Sequence, residues 1–476
     1  MKQVLYALPL LLITACVSGP DYHPPASGVS VTPAAQGRFL SSEEATFSQQ
    51  PLPDRWWHLY DDPRLDAVIE RALSANADLR AADANLRKAE AVLRQTRGAS
   101  GVETRVTAQA AEERDYSESS AGTRIPGVAT SHLGLSASYP LDLAGKLKRA
   151  IEAGEADRDA VQAARDAVRI SVAAATAKAF ANVCAANFQI ATVQRVIDLQ
   201  QRTLAANVRL AKNGRGTAFD VSRAQTAVNT SKAALPPLAA KRQASLFLLA
   251  ALLGEPPANY PRELESCDTL PAISQPLPVG DGRALIRRRP DIRQAERMIA
   301  ADTARVGMAI ADLYPTIAFG GAIETGGKIT DLGNDHSFGF SLGPLLSWSF
   351  PNRSIVKAQI AAAQEQVAVD LARFDAVILE ALRGTETALE SYSRTRDRAA
   401  ALQSAVRSAE TSVAQADRLF RAGRADFLSV LAAQNSLAQA KVTWAEAQAA
   451  VVDDQIAIFL ALGGGWQSSS AQEAAR

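Results

Sequence analysis

The chain has 476 residues, of which 47% are hydrophobic and 21% are charged, and its formal net charge is +1. This composition excludes an intrinsically disordered protein, and the balanced charge gives no indication of a nucleic-acid partner. A mean hydropathy of −0.06 excludes a bundle of membrane-spanning helices, whereas membrane β-strands, which alternate, are not excluded.

Residues 1–15 are typical of a secretory signal peptide. Lys2 supplies a positive charge, and the apolar stretch that follows is too short to span a bilayer. Small residues directly precede Cys16, as in a bacterial lipobox, so we predict that the signal is removed and that Cys16 carries a covalent lipid. Val17 follows where an Asp would resemble an inner-membrane retention signal, so delivery to the outer membrane is expected. An ordinary secretory signal with an incidental cysteine is the alternative.

Two proline-rich stretches interrupt the helical pattern. Residues 16–54 combine proline with Ser, Thr and Gly and hold few apolar side chains, so we expect an extended tether between the lipid and the body. Residues 255–281 form a second such stretch, which connects two longer blocks. The last residues, 467–476, are expected to be a flexible tail.

The two blocks, residues 55–254 and 282–466, repeat each other. Residues 210–254 align with residues 419–463 without a gap. The identical pairs include Leu210/Leu419, Gly214/Gly423, Arg215/Arg424, Val221/Val430, Ala224/Ala433, Gln225/Gln434, Leu253/Leu462 and Gly254/Gly463. Each block has the same order of elements: a helix, strand-like segments, a very long helix, a glycine turn and another helix. A gene duplication explains this order, and chance similarity of alanine-rich helices is the alternative.

Four segments alternate between apolar and small or polar residues with a period of two: 101–111, 131–143, 317–324 and 337–349. The predicted apolar face contains Val102, Val106, Leu133, Leu135, Tyr139, Ile317, Phe319, Ile323, Phe338, Phe340, Leu342, Leu346 and Trp348. The opposite face contains Glu103, Arg105, His132, Ser136, Glu324, Ser337, Ser341 and Ser349. Segments of about ten residues with this pattern fit tilted membrane strands that have lipid on one side and water on the other. A soluble sheet with one wet face is the alternative.

Four strands cannot close a barrel with a useful lumen, and an open sheet edge is not tolerated in lipid. Three chains would supply twelve strands, an even number within the range of known barrels. The pattern therefore predicts a trimer that contributes four strands per chain to one barrel.

The longest predicted helices cover residues 146–210 and 354–421, which contain no proline and one glycine each. At a rise of ~1.5 Å per residue the first could reach roughly 95 Å, enough to cross much of a bacterial periplasm. Their many alanines permit close packing, as in coiled coils and α-barrels, and a solid coiled-coil rod is the alternative. Pro236 and Pro237 fall in the helix after the first glycine turn, where we expect a kink.

The sequence contains no motif that would support catalysis. The four histidines are scattered, and no HExxH, Walker, nucleophile-elbow or CxxC pattern is present. Cys184 and Cys267 lack metal-ligand spacing; we interpret both as structural, and nothing in the sequence requires them to pair. Residues 287–289, all arginine, are interpreted as a solvated start to the next helix, and residues 463–465, all glycine, as a helix stop. Neither an enzyme nor a cofactor or metal site is predicted.

Six segments carry a further indication: DRWWHLYDDPRLDAVIERALSANADLRAADANL, YPLDLAGKLKRA, GTAFDVSRAQTAV, LIRRRPDIRQAE, FGFSLGPLLSWSF and AGRADFLSVLAAQNSLAQAKVTWAEAQAAVVDDQIAIFLALGGGW. Together they resemble the outer-membrane factor family, the TolC-like channels, and within it the lipoprotein branch of efflux components. The resemblance implies a mainly α-helical homotrimer with an outer-membrane β-barrel and a long periplasmic α-helical barrel. It also implies a periplasmic adaptor protein and an inner-membrane pump as partners.

The two glycine turns, at residues 214–220 and 423–429, are the predicted working site. Three chains would present six such turns in a ring, where an adaptor could dock. The residues predicted for docking are Gly214, Gly216, Thr217, Asp220, Gly423 and Asp426. Those predicted at the entrance constriction are Leu428, Ser429 and Ala432. Ser429 and Ala432 stand where the family carries acidic residues, so this chain departs from an acidic entrance. Ordinary hairpin turns without a further role are the alternative.

We therefore predict a passive exit duct in the outer membrane, extending into the periplasm, that conducts drugs or other small molecules delivered by a pump and an adaptor. A lipid-anchored coiled-coil scaffold without a pore is the structural alternative, and it has no need of an apolar strand face. An envelope hydrolase would need a convergent polar site, which the sequence does not supply.

Overall fold

The computed structural model describes residues 17–42, 46–114, 127–348, 350 and 353–464. Cys16, Ser349, Gly465 and the C-terminal tail lie outside the described residues. The chain divides into two compact units. Among the described residues, the first unit comprises those up to Pro24 and those within Asn85–Val161 and Gln294–Phe374, and the second comprises those within Pro25–Ala84 and Gln162–Arg293 and those from Asp375 onward.

Helices dominate the described residues. In chain order they are α1 (Pro33–Gln36), α2 (Pro63–Ala75), α3 (Ala77–Gly98), α4 (Lys146–Lys212), α5 (Ala218–Ala233), α6 (Leu235–Leu252), α7 (Gly282–Arg288), α8 (Pro290–Ala311), α9 (Arg353–Arg421) and α10 (Phe427–Ala461). The strands are β1 (Phe47–Ser48), β2 (Glu103–Glu113), β3 (Val128–Leu141), β4 (Leu277–Pro278), β5 (Thr316–Lys328) and β6 (Phe338–Ser347).

The two-repeat organisation is confirmed by this order of elements. Helices α2 and α3, the hairpin β2–β3 and the long helix α4 are followed after the connection by α7 and α8, the hairpin β5–β6 and the long helix α9. An aspartate caps the first helix of each repeat: Asp62 accepts a hydrogen bond from the Arg64 amide at 2.9 Å, and Asp281 accepts one from the Ala284 amide at 2.8 Å. The same cap starts both repeats because it satisfies amides that have no partner within the helix.

The first unit contains a four-stranded antiparallel sheet in the order β2-β3-β5-β6. The register places Val106 beside Leu135, Leu135 beside Ile323 and Ile323 beside Phe340, so one apolar row crosses all four strands. One residue along each strand, Arg105, Ser136, Ala322 and Ser341 form a parallel row. Because successive side chains of a strand point to opposite faces, the sheet has the predicted apolar face and the predicted small and polar face.

The long helices have the predicted extent, since α4 covers Lys146–Lys212 and α9 covers Arg353–Arg421. Helix α4 contains an 18-residue window apolar enough to cross a membrane, but 61% of that window is buried inside the protein. It is therefore accounted for as a core helix. The expected effect of Pro236 and Pro237 is also confirmed, because the first repeat breaks between α5 and α6 at Ala234, whereas α10 of the second repeat runs on without interruption.

The second unit packs around aromatic side chains and a disulfide. Trp56 is 1% exposed and stacks on Phe459 with ring centroids 4.7 Å apart. Cys184 of α4 and Cys267 of the proline-rich connection form a disulfide between two fully buried side chains. The sequence left this pairing open. The Asn187 side-chain amide supports it by donating to the carbonyl oxygens of Glu265 and Cys267, both at 2.8 Å.

The N-terminal segment of residues 17–42 lies against the body, which its composition did not predict. In the first unit the buried Arg149 side chain donates to the carbonyls of Ser18 and Gly19 at 2.9 and 3.0 Å. In the second unit the Val29 amide donates to Asp375 at 3.0 Å, and Glu386 accepts the amides of Leu40 and Ser41. The predicted tether is therefore corrected for these residues, because body side chains satisfy backbone groups that a free tether would leave to water.

The interpretation of residues 287–289 as solvated was wrong for two of the three arginines. Arg288 donates to the Leu52 carbonyl and Arg289 to the Ala461 carbonyl, and both side chains are less than one fifth exposed. Guanidinium groups supply several donors in a fixed plane, so they suit backbone carbonyl oxygens such as that of Ala461 at the end of α10. The glycine stop is confirmed at Gly463, whose φ is +68°, and at Gly464, whose amide donates to the Phe459 carbonyl at 3.2 Å.

Candidate functional site

The two predicted turns have the same backbone geometry. Gly214 and Gly423 have φ values of +68° and +69°, the left-handed conformation that glycine adopts without steric cost. The Arg215 amide donates to the Leu210 carbonyl at 2.9 Å, and the Arg424 amide donates to the Leu419 carbonyl at 2.8 Å. The identities shared by the repeats at these positions are therefore explained by the helix-ending motif that the residues form.

Each turn is followed by a capped helix, with the acidic residue at a different position of the cap. In the first turn the Thr217 hydroxyl accepts the Asp220 amide at 3.1 Å, while the Asp220 carboxylate accepts the Thr217 amide and hydroxyl at 3.3 and 2.6 Å. In the second turn Asp426 occupies the position of Thr217 and accepts the amide and hydroxyl of Ser429 at 2.9 and 2.6 Å. The hydrogen bonds from Ser429 hold the pKa of the Asp426 carboxyl below its usual range.

A small apolar cluster ties the two hairpins together beside the turns. Its buried members are Ala224, Phe427, Val430 and Leu431. Leu204, Ala227, Ala416 and Phe420 pack against them. Side chains from α4, α5, α9 and α10 thus meet in one cluster, so the turns of both repeats occupy neighbouring places in the second unit.

The side chains beyond this cluster are exposed. Leu428 is 47% exposed, and Ser429 and Ala432 are also exposed, so the described residues leave the three residues predicted at the constriction largely uncovered. Phe219, which the sequence reasoning missed, is 66% exposed with the Arg223 guanidinium 5.3 Å from its ring centroid. It stands at the position of the first repeat that corresponds to Leu428. The gapless alignment of the repeats could therefore have identified it as a second candidate for the entrance. An exposed aromatic beside an exposed leucine gives the turns an apolar contact surface.

The sheet of the first unit is a separate candidate functional surface. Along its apolar row Val106 is 70% exposed and Phe340 is 81% exposed, which a soluble surface would not favour for one contiguous row. On the other face the His132 Nε2 atom lies 3.3 Å from the Glu324 Oε2 atom. The outer edges of β2 and β6 have no strand partner among the described residues. One wettable face, one apolar face and two open edges are the features of a membrane sheet that other chains complete.

The geometry defines a class of protein: a membrane sheet in one unit and paired helical hairpins in the other form one subunit of an outer-membrane channel. A family model described as outer membrane efflux protein matches residues 68–255 and 283–464. The chain is 28% identical to nodulation protein T of Rhizobium leguminosarum bv. trifolii over 98% of both chains. It is 29% identical to the pyoverdine export outer membrane protein OpmQ of Pseudomonas putida over 99% of both chains. The solved structure of the outer-membrane channel OprN superposes with a TM-score of 0.84 at 29% identity, covering 95% of this chain and all of that one.

The chain belongs to the outer membrane efflux protein family. The predicted resemblance and the predicted fold are confirmed, because the matched segments fall in the two repeats and the structural neighbours are trimeric channels of this architecture. Members of the family are outer-membrane efflux channels that form homotrimers and work with adaptor proteins and inner-membrane pumps. The scaffold alternative has no support from these relatives.

Proposed function

We propose that three copies of this chain form the passive exit duct of a tripartite efflux system, which carries small molecules from a pump and its adaptor to the outside. The apolar row from Val106 to Phe340 is the observation that carries the proposal. A row of this kind opposite serines fits a wall with lipid outside and water inside. Three four-stranded sheets pair the open edges of β2 and β6 and give twelve strands, so that no edge is exposed to lipid.

The two glycine turns are the proposed docking place of the adaptor. A Cβ atom added at Gly214 or at Gly423 would meet no atom within 4 Å, so the backbone there is open to a partner helix. The paired hairpins hold six such turns per trimer. The exposed Phe219 and Leu428 beside them supply apolar area that a docked helix would cover.

The docking proposal is tested by replacing both glycines with tryptophan, with the double alanine variant as control. Both variants carry the same strain from a positive φ, but only tryptophan covers the open backbone. We expect the tryptophan variant to reach the outer membrane as a trimer and to lose efflux, measured as a fall in drug resistance of the host cell. The alanine variant should retain efflux. Normal pumping by the tryptophan variant would contradict docking at the turns.

Leu428 is proposed to narrow the resting entrance. Leu428→Ala should raise the conductance of purified trimers in a planar bilayer and the entry of large antibiotics that the outer membrane excludes, because it removes an exposed side chain without disturbing the buried Phe427. Phe219→Ala is the matched variant in the first repeat and tells whether both repeats line the entrance. Unchanged conductance in Leu428→Ala would contradict the constriction.

The lipid anchor is proposed from the residues that precede Cys16. Labelled fatty acid should enter the protein, and Cys16→Ser should abolish the label. We expect the variant to keep part of its efflux if it is exported, because the barrel itself holds the trimer in the membrane. Undiminished labelling in Cys16→Ser would remove the anchor from the proposal.

A further inference from the structure

The helix ends that flank the two turns are basic, although each turn itself contains one arginine and one aspartate and the chain as a whole is nearly neutral. Residues 209–223 and 417–426 together contain seven basic and three acidic side chains, a net charge of +4, whereas the entire chain carries +1. The rest of the chain is therefore acidic overall. Positive charge is concentrated at the place where the trimer would open to the periplasm.

The three acids of this region are each engaged by neighbours. Asp220 accepts the Thr217 hydroxyl, and Asp426 accepts the Ser429 hydroxyl, both at 2.6 Å. Asp417 forms an ion pair with Arg421 at 2.8 Å. Each carboxylate is bonded within its own helix, and among the described residues none of the three forms an ion pair with Arg215 or Arg424.

Arg215 and Arg424 occupy equivalent positions at the apices of the two turns. Each is the residue after the left-handed glycine, and its amide closes the helix-ending motif. Both side chains are exposed, and neither guanidinium has an ion-pair partner in the part of the chain that the structure describes. Because the backbone geometry of the turns requires only their amides, the guanidinium groups are free for another role.

We propose that the Arg215 and Arg424 side chains of three chains form a ring of six cations that makes the periplasmic entrance prefer anions. The cargo class that this selects is small molecules bearing carboxylate, phosphate or sulfonate groups. The inference rests on the proposed exit duct and adds the sign of the charge of the molecules that the duct conducts. A ring of like charges around a narrow opening raises the local concentration of counter-ions, and guanidinium groups pair well with carboxylates and phosphates. Such a field acts on any passing anion without shape complementarity, whereas recognition of a protein partner would need an acidic surface shaped to the ring.

The test measures the reversal potential of purified trimers in a planar bilayer with a KCl gradient. We expect the wild type to be anion-selective. The double variant Arg215→Gln/Arg424→Gln should lower the ratio of chloride to potassium permeability by about tenfold at low salt, the low end of electrostatic focusing. The control Arg262→Gln removes an exposed arginine of the connection, whose guanidinium lies 6.0 Å from the Tyr260 ring centroid, and should leave the ratio unchanged. Near 1 M salt, where the Debye length is about 3 Å, wild type and double variant should converge.

A second readout uses proteoliposomes loaded with an anionic dye, carboxyfluorescein, or with a cationic rhodamine of similar size. Release of the anionic dye should be faster through the wild type, and the double variant should lose the difference. Trimers that conduct but prefer potassium would overturn the selectivity and leave the exit duct standing, whereas trimers that do not conduct would overturn both. A double variant that keeps its anion preference but loses efflux in cells would assign the arginines to the adaptor instead of the cargo, and the proposal would be wrong.

Discussion

Removal of the disulfide should destabilise the second unit without abolishing its fold. Cys184 and Cys267 are 83 residues apart, and the loop that they close contains α5, α6 and the first glycine turn. In the chain-entropy model, closing a loop of this length raises the free energy of the unfolded chain by about 4–5 kcal/mol, because the chain loses conformational entropy. The hydrogen bonds from Asn187 to the connection persist in the double alanine variant, so the native position of the connection is kept while the unfolded chain gains freedom.

Dividing this lost free energy of unfolding by the unfolding entropy of 476 residues gives a melting temperature that is lower by roughly 5 °C. The assay is thermal unfolding of purified trimers followed by circular dichroism at a helical wavelength. Cys184→Ala/Cys267→Ala should melt lower than the oxidised wild type. A reducing agent should lower the wild type to the same value and leave the variant unaffected.

Two results would refute this reasoning. If alkylation before reduction labels both cysteines in protein isolated from the envelope, the disulfide does not form in the cell. If the bond is present and its removal leaves the melting temperature unchanged, the loop is already restricted in the unfolded state. Limited proteolysis in residues 255–281 separates the cases, since only a disulfide that stabilises the connection makes cleavage faster upon reduction.

Two further predictions concern the sheet and a buried carboxylate of the first unit. Phe340→Arg should hinder trimer assembly, since a cation on the lipid face costs about 2–4 kcal/mol at mid-bilayer, while Ser341→Arg on the wet face should assemble; equal yields of trimer in native gels would contradict the face assignment. Asp370 is 2% exposed, and burial together with its hydrogen bond to the Asp302 carboxylate raises its pKa. Because the pKa is raised in the folded state, the Asp370 carboxyl contributes its full stability below a pH of about 4, the pKa of an aspartate in the unfolded chain. This contribution is lost as the pH rises through the pKa of the folded state. Asp370→Asn should therefore unfold at higher denaturant concentration than the wild type at pH 7 and equally at pH 4, and a constant difference across this range would contradict the assignment.

The sheet could be predicted from the sequence because its determinant is local. A period of two puts Leu135 and Phe340 on one face of their own strands whatever the pairing, and a slip by one residue would turn one of them to water. The break at Pro236 and Pro237 was equally predictable, since the missing amides act on the same helix. Neither inference needed knowledge of a distant part of the chain.

The features that the sequence did not predict depend on groups far apart in the chain. The Cys184–Cys267 pairing depends on where the connection folds back onto α4. The positions of Arg288 and Arg289 depend on carbonyls of Leu52 and Ala461, so a run of three arginines looked like a solvated surface. The same reason applies to residues 17–42, whose amides meet acidic side chains of α9 that no local pattern indicates.

Some residues of the turns are needed for the backbone conformation, and others have side chains that this conformation does not need. Gly214 and Gly423 are required by the positive φ, and the caps at Thr217 and Asp426 satisfy amides that would otherwise lack partners. Nothing in this geometry requires an arginine after the glycine, because any residue except proline supplies the amide that closes the motif. Both repeats nevertheless carry an arginine there, whereas the cap residues differ in type from one repeat to the other. The fold does not constrain the Arg215 and Arg424 side chains, yet they are identical. It does constrain the cap residues, yet they differ. This contrast is expected if the arginine side chains themselves are under selection.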